Sequence, residues 1–222
     1  MNSIMEAVCT VCNQVRRKSK HGVNFQNLLT MLRREFREHE LILKVKSDRD
    51  KKLNSEEFYV NAYYDSEDDQ NNEIPIEVIV HHNFDKTVLW DNKHTTELLV
   101  QVFDAVVHEF KHQRQSVKRK HITYFGHTKS PYDEYLADPD ELDAYAISIA
   151  IELCRSLGKY RALRYMKRFE SLCKLKFNDR YVSPNLAAYF GQFKSARTPI
   201  LKRLAKKVYV RLQKIDTDVI FM

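Results

Sequence analysis

Glycine is scarce in this chain, with four in 222 residues. That leaves little room for the Gly-rich loops whose backbone amides cradle phosphates, and none is present. No run reaches the roughly 18 apolar residues that a membrane-spanning helix requires, so no membrane partner is expected. The N-terminal stretch places Arg16, Arg17 and Lys18 after its apolar residues, the reverse of a secretory signal. Cysteine is sparse as well: Cys9, Cys12, Cys154 and Cys173. Cys9 and Cys12 form a CxxC, but no second Cys or His pair completes a structural zinc site. Cys154 and Cys173 fall among apolar helical positions, where a free thiol behaves as a small hydrophobe. A reducing, cytoplasmic setting is the expectation, with a virion-associated one as the variant. Internal repeats and low-complexity segments are missing.

What is present is a globular apolar content of 43% and an uneven charge. The net charge is +7, but residues 155–214 hold seventeen Lys or Arg against two acids, Glu170 and Asp179. That segment therefore carries +15 and the remainder −8. Such asymmetry fits a surface for nucleic acid or another polyanion. The plainer alternative is that the basic helices dock on acidic stretches of the same chain, around 65–73 and 133–143.

Periodicity gives a coarse map. Two helices fill the first 46 residues, the first through Ile4, Val8, Val11 and Val15. The second, capped by Asn24, runs through Leu28, Leu32, Phe36 and Leu43. A charged loop at 47–55 precedes strands at 57–64 and 74–81, the latter with Pro75 near its start, and a short strand at 87–90. Helices return at 160–176, 184–193 and 199–214.

Between these lies His108-Glu109-Phe110-Lys111-His112. On a helix, residues four apart stand one above the other, so both imidazoles reach a single ion. Glu109 sits beside that face, placed to act as general base on a water activated by zinc. Helical context is supplied by Thr95 and Thr96 as N-caps and by Leu98, Leu99, Val102, Phe103, Val106 and Phe110 at helical spacing. The bland alternative is two ordinary histidines on a half-buried helix.

A catalytic zinc takes three protein ligands and keeps one position open. Downstream, Asp138 caps a second helix with Pro139 at its first position, and Glu141 stands in its first turn, one turn before the small Ala144. Glu141 ranks first as third ligand, although it could simply close a capping box on Asp138. His127 or His121 ranks second and Asp143 third. Tyr124 and Tyr135 are candidate donors to a developing oxyanion.

The HExxH of His108, Glu109 and His112, followed by Glu141 and Ala144, resembles the zincin metallopeptidases, specifically the gluzincin branch. It is also similar to the short zincins of phages. That resemblance implies an α+β, helix-rich core, with a small sheet packed on the motif helix and an edge strand that holds extended substrate. It implies a zinc metallopeptidase acting on protein or peptide, with His108, His112 and Glu141 as ligands and Glu109 as catalytic base. Lys111 departs from the uncharged residues the extended pattern prefers within the motif, and Arg114 from the apolar residue it prefers shortly after. A third histidine would resemble the SprT-like zincins, which are associated with DNA. The expected organisation is an N-terminal helical segment at 1–50, a metal-binding core at 51–158 and a basic helical segment at 159–222. The competing function is a nucleic-acid-associated protein whose metal site is structural or inactive.

Overall fold

The computed structural model describes residues 2–18, 23–65, 74–85, 89–118, 132–174, 182–195 and 197–215. His121, His127 and Tyr124 lie outside the described residues, as does residue 179. The chain forms two compact units, Met1–Thr123 and Tyr124–Met222. Its composition of many helices with a small three-stranded sheet makes it a mixed, helix-rich α/β protein.

The first unit begins with helix α1 (Asn2–Lys18), the two-residue strand β1 (Val23–Asn24) and helix α2 (Phe25–Glu38). Asn24 caps α2 as the sequence predicts, its side chain accepting from the amides of Gln26 at 2.8 Å and Asn27 at 3.4 Å. Phe25, Leu28, Leu29, Leu32 and Phe36 are all buried, an i, i+3, i+4, i+7 stripe facing the core. The helix ends earlier than expected. Glu40 adopts a φ of 54°, and the amide of Leu41 bonds back to the Phe36 carbonyl at 2.9 Å. That turn releases Leu43 into strand β2 (Leu43–Arg49), so part of the expected loop is sheet. With β3 (Phe58–Tyr63) and β4 (Ile76–His82), β2 forms a sheet of order β2-β4-β3, parallel to β4 on one side and antiparallel on the other. Strand β4 buries Ile76, Val78, Val80 and His82 in strict alternation. A short β5 (Leu89–Trp90) pairs with β1.

Helix α3 (Asn92–Lys118) packs on β3, β4 and α1. It starts before the predicted caps: the Asp91 carboxylate accepts from the His94 amide at 2.8 Å, and Thr95 is buried in the first turn. The two outer strands are engaged at mid-length by helix side chains. The Val60 amide of β3 donates to Gln101 Oε1 of α3 at 3.1 Å, and the Val45 carbonyl of β2 accepts from Arg33 Nε of α2 at 2.9 Å. Occupied edge groups resist strand addition. The substrate-holding edge expected from the resemblance is therefore already taken at these positions.

The second unit is built around α5 (Pro139–Leu157), preceded by α4 (Tyr132–Ala137) and packed by α6 (Lys159–Lys167), α8 (Pro184–Phe193) and α9 (Pro199–Lys214). Leu142, Ala146, Ile149, Ala150 and Leu153 are fully buried, as befits a helix enclosed on most sides. Gly158 ends α5 at a φ of 76°, a left-handed conformation that costs glycine little, and its amide bonds to the Cys154 carbonyl at 2.8 Å. Burial pushes the Cys154 thiol up from its ordinary range. The single helix predicted over 160–176 is broken at Arg168, where its amide turns back to the Tyr165 carbonyl at 3.0 Å. The short α7 (Phe169–Lys174) that follows brings Phe169 against Phe190, with ring centres 5.2 Å apart.

Candidate metal centre

His108 and His112 stand one turn apart near the middle and C-terminal half of α3, both half-buried. Their Nε2 atoms are 3.1 Å apart. Two nitrogens that each lie about 2.0–2.1 Å from one tetrahedral zinc are separated by about 3.3 Å, so this spacing fits a shared ion. Glu109, between them, is also half-buried.

Helix geometry explains how Arg114 is accommodated. Residues two apart on an α-helix point about 200° apart. Phe110 and Arg114 therefore project away from the histidine face, and the Arg114 guanidinium lies over the Phe110 ring at 4.9 Å. This charge does not compete for the metal-binding side.

Glu141 is buried, with 6% of its surface exposed. Asp138 caps α5 through its carboxylate, which accepts from the amides of Asp140 at 2.7 Å and Glu141 at 3.3 Å. The amide of Asp138 itself donates to the Tyr135 carbonyl at 3.1 Å. The donor that a reciprocal capping box would offer to Glu141 is thus already used, which removes the plain explanation for this carboxylate. Instead its neighbour is Tyr135, whose hydroxyl bonds to both Glu141 and Tyr145. Burial first, and then Tyr145 and Glu141, hold that hydroxyl firmly protonated, well above the ordinary tyrosine range. Tyr145 in turn meets Tyr189 edge-on at 5.4 Å, and the Tyr189 hydroxyl donates to the Leu136 carbonyl at 3.1 Å.

His108 and His112 of α3, with Glu141 of α5, are a group of ligand-type side chains that could hold a metal ion. Two imidazole nitrogens and a carboxylate oxygen are a donor set able to bind a metal ion. Asp143, the third-ranked candidate, is used otherwise: Arg211 Nη2 of α9 contacts its two oxygens at 2.9 and 3.1 Å, and Lys207 Nζ lies 3.3 Å away. Tyr135, expected as an oxyanion donor, has its hydroxyl hydrogen-bonded to Glu141 and Tyr145. Sequence reasoning passed over Tyr145 altogether. Its only signal is the i, i+4 spacing from Glu141, which by itself does not distinguish a packing aromatic from a partner.

No protein-family model, curated protein or solved structure matches the chain.

Proposed function

We propose that this chain is a zinc-dependent metallopeptidase, with His108, His112 and Glu141 as ligands and Glu109 as general base. The observation that carries the reading is the pair of imidazoles 3.1 Å apart on α3 with Glu109 beside them, supported by a buried Glu141 carboxylate that closes no capping box. Zinc, when bound there, polarises a scissile carbonyl and lowers the pKa of water to about 7. The chain's own residues do the rest. His108 and His112 supply neutral nitrogen donors, and Glu141 supplies a negative charge that offsets part of the ion's own. Glu109 accepts the proton of the attacking water and returns it to the leaving amine. Tyr135, by donating to Glu141, fixes the orientation of the third ligand.

Elemental analysis combined with hydrolysis of a fluorogenic unfolded protein tests this. One equivalent of zinc is expected in the wild type, lost in His108→Ala, His112→Ala and Glu141→Ala. Glu109→Gln should keep the metal and lower turnover by at least about 10²-fold, the usual scale of general-base catalysis. A wild type that binds no zinc defeats the metal centre; hydrolysis undiminished in Glu109→Gln defeats the mechanism.

A further inference from the structure

Helices α6 and α9 of the second unit carry a set of cations that neither the metal centre nor the core uses. Successive residues of an α-helix advance by about 100°, so Tyr160, Arg161, Arg164, Lys167 and Arg168 fall within an arc of about 120°. All five are exposed, while Ala162 and Met166 on the opposite side are buried. Helix α9 repeats the division. Lys202, Arg203, Lys206 and Lys214 share its outward arc, and Leu201, Leu204, Val208 and Leu212 are buried beneath. The two helices pack together, and the Lys159 Nζ bond to the Ile215 carbonyl at 2.6 Å sets the start of α6 beside the end of α9. Tyr160 and Arg161 thus lie at the same end as Lys214. Among the described residues the cations of α9 that pair with acid are Lys207 and Arg211, both on Asp143. Within residues 155–214 the described acid is Glu170.

Tyr160 is the anomaly on this surface, with 86% of its area exposed. A large ring left in water next to arginines is a stacking platform, and bases stack on aromatic side chains whatever their sequence. We propose that the α6–α9 face binds single-stranded nucleic acid, its phosphates on the lysine and arginine rows and a base on Tyr160. A base must leave its duplex stack to reach a ring, which favours the single strand. An anionic membrane fits less well, because insertion needs a broad apolar face beside the cations, and among the described residues the large apolar side chains exposed on these two helices are Tyr160 and Val210.

Fluorescence anisotropy of the full chain with a labelled oligothymidylate of about 20 nucleotides tests the assignment. The expected result is binding whose affinity falls steeply as salt rises from about 50 to 200 mM. Tyr160→Ala should weaken it about tenfold, one base–aromatic stack, and Tyr160→Phe should restore it. Arg161→Glu with Arg164→Glu should flatten the log–log salt slope by about 1.4, two single-strand phosphate contacts. Four results would overturn the proposal: no binding at the lowest salt, equal affinity of Tyr160→Ala and wild type, tighter binding to the matching duplex, or tighter binding to phosphatidylserine vesicles or polyglutamate.

Discussion

The Nε2 atoms of His108 and His112 face each other across 3.1 Å, one turn apart on α3. At that distance one ring donates and the other accepts, or both donate lone pairs to a common cation; two protonated rings would repel. A cation bound there acts on the folded state only, since the unfolded chain lacks the spacing. At a zinc concentration 100-fold above its dissociation constant the fold should gain about 2.7 kcal/mol. For a chain of this size that is about 5–10 °C in melting temperature. Differential scanning fluorimetry with and without zinc checks it, and His112→Ala should show no shift.

Tyr135→Phe isolates the hydroxyl that holds Glu141. Outer partners of metal ligands typically contribute 10–100-fold in metal affinity, and a loss in that range is expected in a competitive zinc titration. Melting of the metal-free variant serves as the control. If zinc affinity is unchanged while stability falls, Tyr135 is a packing residue and not a positioning one.

The motif helix, its apolar stripe and the Asp138-Pro139 start of α5 were legible because they are local: capping chemistry and 3.6-residue periodicity are written in neighbouring residues. Helices 184–193 and 199–214 were equally plain, each opening with proline after Ser183 or Thr198. Strand β2 was not. Its apolar residues are Leu43 and Val45, and Lys44, Lys46, Asp48 and Arg49 give it the composition of a loop; pairing with β4 makes it a strand. The engagement of Asp143 by Arg211 spans 68 residues of sequence, and no local rule reports it. Nor could spacing distinguish a Glu141 that closes its capping box from one that does not. That difference rests on where the Asp138 amide goes.

Asp143→Ala should separate structure from metal binding. The carboxylate accepts two bonds from Arg211 and one from Lys207, with side chains 18%, 32% and 36% exposed. Solvent screening at that exposure reduces the pairs to a combined contribution of about 1–2 kcal/mol. Urea unfolding should reveal a destabilisation of that size, while zinc content stays at the wild-type level. Loss of zinc in this variant would return Asp143 to the list of ligands.

Glu77 on β4 gives the first unit a defined acid response. Lys46 Nζ at 2.6 Å, the Tyr63 hydroxyl at 2.6 Å and Lys44 Nζ at 3.1 Å surround its carboxylate. The Lys46 bond foremost, then Tyr63 and Lys44, hold it at about 2 instead of 4.5. A carboxyl depressed on folding contributes its full stabilisation above the unfolded pKa and loses it as pH falls through the folded one. Glu77→Gln should therefore melt below the wild type by a constant margin above about pH 5, narrowing steadily between about pH 4.5 and pH 2. Thermal melts across that range decide the matter, and a margin that stays constant down to pH 2 would mean that these contacts do not depend on the charge of Glu77.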